Sequence, residues 1–313
     1  MALLGISSFI ADMSIFFHMF GTGLFHYGTY DSSFTHVYSA ACVALLILLA
    51  LQISEGSTRR RMVAAAIIAF LLVLLRQTNV FVVSWIGVGV AWLGRSPLAQ
   101  RIAFVATILI SCLIGTAVLI GYNSYGAGAF TLSSYGDEMF VWTRPMWRSV
   151  LFSFERGLFT YYPVLLISVA TSLFSRITRR YATVAVGCIF SYALFYGFWH
   201  SWFLGGGFGH RGFVEPVPAI AVMAATAVNS LASKSRTVVL VLMAIACGLT
   251  LSLMWGYWTS TLPIAGTNSS TYIAQFSWSR LPIFLAPMCV LVANRFCRLS
   301  SAIMFEPRQS LQP

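Results

Sequence analysis

Apolar runs recur along the whole chain, at about residues 3–20, 36–53, 63–78, 80–94, 102–122, 156–175, 182–202, 213–232, 237–258 and 281–297. About 20 mostly apolar residues is the length an α-helix needs to cross the hydrocarbon of a bilayer. Backbone polar groups inside that layer must be paired within the protein, which a helix does by itself. The runs therefore predict an all-α fold, a polytopic transmembrane helix bundle. Composition agrees: 58% of the 313 residues are hydrophobic and 9% are charged, against about 25% charged in a soluble domain. Length here counts passes, not globular domains. Residues 1–297 read as a single transmembrane domain and 298–313 as a cytoplasmic tail.

The stretch 63–94 has to be divided. As one helix it would run about 48 Å, against a hydrocarbon core of about 30 Å, and Arg76-Gln77-Thr78-Asn79 is its natural break. The division gives about ten passes, or nine if residues 3–20 do not span. The first run is the weakest, because Asp12 sits in its middle, where a charge costs about 2.5–3.5 kcal/mol on insertion scales.

Charge placement supports ten. One side then receives Arg59, Arg60, Arg61, Arg95, Arg101, Arg176, Arg179, Arg180, Lys234, Arg236, Arg295, Arg298 and Arg308, most of the 19 basic residues. Short basic loops face the cytoplasm, so both termini are expected there. The net charge of +11 thus serves orientation in a lipid bilayer, and no nucleic-acid partner is expected. The six cysteines stand singly without metal spacing, and the chain has no P-loop, HExxH or GxSxG.

Chemistry is expected on the opposite side, where the longer polar segments fall. In HSWFLGGGFGHRGFVEPVP, residues 200–218, glycines free the backbone to turn N–H groups toward an anion. Arg211 adds a planar cation suited to phosphate, His200 and His210 add donors, and a helix start is expected at Glu215-Pro216. Arg76, between two apolar runs, needs an anion, a carboxylate or water. His36 opens a helix just after Asp31, in the same outer segment as His26 and Tyr27. Asp137 and Glu138, adjacent in YGDEMF, suit a divalent cation or a general base. Glu155 and Arg156 stand where a pass begins. Each of these also has a bland reading: a snorkelling arginine, a structural ion pair, a packed histidine or a solvated acid pair.

FHYGTYDSSFTHVYSA, LLRQTN, ERGLFTYYPVLL and WHSWFLGGGFGHRGFVEPVPAIA follow one another in an order that resembles the GT-C superfamily, the polytopic glycosyltransferases that use polyprenyl-phosphate sugars. The resemblance covers roughly residues 22–232. It implies transfer of a hexose or pentose from a polyprenyl-phosphate donor to an acceptor lipid, glycan or protein. The reaction would take place on the outer face of a bacterial cytoplasmic membrane. By the same resemblance Arg76 and Arg211 would meet the donor phosphate and His36 would line the cavity. From the residues themselves, Arg156 and His210 join as candidate phosphate contacts, His200 and Tyr27 as candidate cavity-lining residues, and Asp31, Asp137 and Glu138 as candidate catalytic acids, with a divalent cation (Mg or Mn) as a potential cofactor. The family's acidic motif lies in the first outer loop, where this chain has only Asp31. Its beginning resembles the middle of a family member, which implies a missing N-terminal portion. Two competing expectations are a transporter or flippase for a polar lipid, and an inactive remnant or accessory membrane protein.

Overall fold

A computed structural model describes residues 4–56, 58–131, 139–263, 266–276 and 280–304, without the side chains of 294–304. Every regular element in it is a helix. In chain order these are α1 (Ser8–Phe20), α2 (Gly23–Thr29), α3 (His36–Glu55), α4 (Arg59–Leu75), α5 (Asn79–Leu93), α6 (Leu98–Ala127) and α7 (Trp147–Phe152). There follow α8 (Leu158–Tyr161), α9 (Pro163–Phe174), α10 (Arg179–Phe198), α11 (Val217–Asn229), α12 (Ser233–Trp258), α13 (Ser269–Ile273) and α14 (Leu281–Met304). A single antiparallel bridge joins Phe140 and Trp199.

Among the described residues four helices, α3, α6, α10 and α12, are long and apolar enough to cross a membrane. The total reaches six if two bent pairs each form one span: α1 with α2, bent by 67°, and Ser269–Phe276 with Leu281–Ala293. Helices α5, α9 and α11 are apolar but shorter. The apolar runs thus yield fewer full-length helices than their number suggests, and the causes are local. The run 156–175 is cut at Tyr162 (φ −125, ψ 62), ahead of Pro163, since a residue before proline avoids helical geometry. The run 213–232 turns helical only at Val217, because the residues before it are drawn into the loop described below. At Arg76 (φ −159, ψ 129) the backbone is extended, and α4 gives way to α5 at the expected break.

Burial sorts the helices. In α12, 56% of the apolar window is buried, against 28% in α6, so α12 is central and α6 peripheral. Leu109, Ile110, Leu113 and Ile114 of α6 face outward, as a lipid-facing surface requires. Between helices the packing relies on small residues, which let backbones approach in hydrocarbon. A Cβ on Gly248 of α12 would collide with the carbonyl oxygen of Phe284 on α14, and one on Gly187 of α10 would enter the ring of Trp85 on α5. Buried His18 ties α1 to its neighbours: Nδ1 donates to the Ser14 carbonyl at 2.8 Å and Nε2 faces Ser168 Oγ of α9 at 3.0 Å. Ser14 Oγ donates to the Ala221 carbonyl of α11 at 2.9 Å.

Helix direction divides the polar residues. The starts of α3, α5 and α11 and the ends of α4, α10 and α12 lie at one end of the bundle, joined by the contacts described next. The basic clusters Arg59–Arg61, Arg95 with Arg101, Arg176 with Arg179 and Arg180, and Lys234 with Arg236 occupy the opposite helix ends. Gly248→Ala should lower stability by about 1–3 kcal/mol, the usual overpacking cost. Gly121→Ala, with nothing within 4 Å of the added carbon, should leave it unchanged. Thermal denaturation in mild detergent checks both.

Candidate functional site

The chain from Trp199 to Pro216 leaves α10, makes a glycine-rich loop and a 3-10 turn at Arg211–Phe213, and enters α11. Gly207 and Gly209 have φ of 147 and 56, which glycine adopts without the usual steric cost. Side chains there would run into the hydroxyls of Tyr27 and Tyr162 respectively. What the glycines permit is therefore close approach. Both tyrosines donate to the carbonyl of Phe208, Tyr27 at 3.0 Å and Tyr162 at 2.9 Å. Tyr27, expected to line a cavity, is fully buried and clasps the loop.

Beneath the loop, three charged or ionisable groups from three distant segments meet. His36, first residue of α3, places Nδ1 2.7 Å from Glu215 Oε1. Its Nε2 lies 2.8 Å from Arg76 Nη1. A guanidinium can only donate, so Nε2 carries no proton, and Nδ1–H donates to the carboxylate. His36 is thus neutral, and Arg76 Nε stands 3.4 Å from the same Glu215 oxygen. The trio sums to zero charge, which is how a carboxylate with no exposure stays ionised. Asn79 continues the network, its amide donating to Ser39 Oγ at 2.9 Å and the Leu72 carbonyl at 2.8 Å. Arg76 was expected to seek an anion, and the anion it meets is internal.

Two other arginines are different. Arg156 is 4% exposed, yet its Nη2 has no hydrogen-bond partner and it makes no salt bridge among the described residues. Its φ of 149 is strained for a non-glycine residue, a condition that clusters at functional sites. Its guanidinium lies 5.8 Å from the centre of the Phe203 ring. Arg211 is partly buried, donates from Nη1 to the Gly206 carbonyl at 3.0 Å and lies 4.6 Å over the Phe34 ring. It too has no carboxylate in contact. The two sense each other's charge: burial lowers the pKa of Arg156, nearby tyrosines offset this, and Arg211 lowers it further.

His210 is fully buried and donates from Nε2 to the Trp202 carbonyl at 3.1 Å, and its Nδ1 has no partner among the described residues. Burial is the main cause that pushes its pKa down to about 3, aided by Arg156 and Arg211. It is neutral at ordinary pH. Asp31 joins the same end of the bundle through His26, at 2.9 Å. His200 is exposed beside Trp199 and away from this group. Asp137 and Glu138 lie outside the described residues. Among the described residues, no three His, Cys, Asp or Glu side chains gather to hold a metal.

The arrangement can hold an anion at Arg156 and Arg211 and accept a proton at Asp31. The sequence places Glu215 at a helix start and His26 in an outer segment without assigning either a partner, and it does not mark Trp258 as the donor to His26. For Glu215 the available signal was an acid at the edge of an apolar run, which needs a cationic partner somewhere. No protein-family model, curated protein or solved structure matches the chain.

Two outcomes are expected. Glu215→Leu should cost about 3 kcal/mol by stranding Arg76, and adding Arg76→Met should recover most of it; a double-mutant cycle of melting curves reads the coupling. His210, at 6.5 when unfolded and about 3 when folded, makes the folded state bind fewer protons between those values. Stability should therefore fall as pH drops through that window. His210→Gln should flatten this fall in a pH series of melting temperatures.

Proposed function

We propose that this chain is an integral membrane glycosyltransferase whose Arg156 and Arg211 grip the phosphate of a polyprenyl-phosphate sugar. It passes the sugar to a lipid, glycan or protein acceptor on the outer face of a bacterial cytoplasmic membrane. The observation that carries this reading is the contrast among the arginines: Arg76 has its carboxylate, whereas nearly buried Arg156 and partly buried Arg211 have none among the described residues. A buried cation without an internal anion is poised for an external one. The order of motifs that resembles the GT-C superfamily supports the same reading.

In this proposal the chain crosses ten times, with α5, α9 and α11 as short crossings packed among longer helices. The basic helix ends face the cytoplasm and so do both termini. The acceptor hydroxyl oxygen attacks the anomeric carbon as the bond from that carbon to the phosphate oxygen breaks, with inversion. The hydroxyl proton passes to Asp31. The bonding pair leaves with the polyprenyl phosphate, whose added charge is stabilised by Arg156 and Arg211.

In proteoliposomes supplied with a labelled polyprenyl-phosphate sugar and mixed acceptors, the protein should release polyprenyl phosphate. Arg156→Gln and Arg211→Gln should each lower that release by roughly 100-fold. Arg148→Gln, at an exposed arginine resting on Trp147, should not. Release that is untouched in both site variants would remove the arginine pair from the reaction.

A further inference from the structure

Next to the arginine pair lies an assembly that phosphate binding leaves unexplained. His26, fully buried, places Nε2 2.9 Å from Asp31 Oδ2 and Nδ1 2.9 Å from the indole nitrogen of Trp258. An indole N–H only donates, so Nδ1 carries no proton, and Nε2–H must point at the carboxylate. The histidine is neutral and its ring is held from both sides. It fixes one oxygen of Asp31 and leaves the other, Oδ1, for something else; the side chain is 26% exposed.

Beside that carboxylate is a stack of rings. Tyr30 lies nearly parallel to His26, at 5.5 Å and 28°, and to Trp258, at 5.6 Å and 22°. Tyr257 meets Tyr30 edge-on at 6.5 Å and 78°. Tyr30 is 57% exposed, so a flat ring backed by the stack is open to a ligand, with a hydrogen-bond acceptor at its rim.

We infer that this is a carbohydrate subsite, and that the acceptor is therefore a sugar residue, not a plain lipid alcohol or a protein side chain. A pyranose has an apolar C–H face, which a flat aromatic ring covers, and hydroxyls at its edge, which need acceptors. Tyr30 supplies the ring and Asp31 Oδ1 takes the proton of the attacking hydroxyl. A quaternary ammonium ion also favours aromatic rings, but it prefers to be enclosed, and Arg156 and Arg211 oppose a cation here. Tyr257 also meets the Phe208 ring edge-on, at 5.9 Å and 64°, so the stack beside Tyr30 packs against the loop that carries Arg211. A sugar on Tyr30 would thus lie next to the loop proposed to hold the phosphate, as transfer requires. His26 is a positioning residue, because it acts through Asp31. The identification of this sugar as acceptor rests on the function proposed above; the binding of a pyranose does not.

The test uses the full chain reconstituted with peptide belts, free of sugar detergents and choline lipids. Three probes are compared by saturation-transfer NMR: neutral methyl pyranosides, decyl phosphate and choline. At least one pyranoside should receive saturation at its ring C–H protons. Its affinity should fall about tenfold or more in Tyr30→Ala, the scale of losing a stacking ring, and return in Tyr30→Phe. Decyl phosphate should bind Tyr30→Ala as it binds the parent, which also shows that the variant is folded. If decyl phosphate binds and no pyranoside responds, or Tyr30→Ala binds pyranosides normally, the subsite is overturned while the arginine reading stands. Choline binding in place of pyranosides overturns it as well. Pyranosides that bind where decyl phosphate does not would keep the subsite and remove the phosphate grip.

Discussion

A carboxylate with no contact to solvent cannot remain charged in a helix bundle unless cations and donors surround it. Glu215 meets this condition through His36 and Arg76, and much of the polar end of the molecule is organised by it. The first residue of α3, the residue that ends α4 and the entrance to α11 are brought together at that one oxygen. Because the histidine is neutral, one positive and one negative charge cancel, although the second carboxylate oxygen, Oε2, is buried without a hydrogen-bond partner among the described residues. The cost of desolvation is met by geometry.

That internal cancellation sets off Arg156 and Arg211. Of the arginines around the loop, Arg76 has an acid in its grasp, while Arg156 and Arg211 have aromatic rings and a backbone carbonyl. The difference follows from where the acids are. Glu215 is enclosed with Arg76, Asp31 is held by His26, and Glu155 accepts the Gly266 N–H at 3.0 Å. Each of these three acids therefore already has a partner, and among the described residues none of them contacts Arg156 or Arg211.

Much of the helical architecture was legible from the apolar runs, because the requirement for paired backbone groups leaves few other folds. The break at Arg76–Asn79 was legible from length and charge alone. The division of the run 156–175 was less so, although Tyr162-Pro163 is a known type of helix boundary. At the candidate site, Arg76, Arg156, Arg211, His36 and Asp31 stood out because polar groups among apolar ones require partners. Who partners whom did not stand out. Arg76 and Glu215, or His26 and Trp258, are far apart in the chain, and no local periodicity records which helix ends will meet. The glycines of the loop showed the converse: their need was visible, but its reason, two tyrosine hydroxyls crowding one carbonyl, is a tertiary fact.

The clasp at Phe208 has a consequence for how the molecule is assembled. Its two donors are made and inserted well before the carbonyl that receives them, with Tyr27 preceding it by 181 positions and Tyr162 by 46. Neither phenol can reach this acceptor until Phe208 itself has been made. Closure of this end of the bundle is therefore a late event in biogenesis.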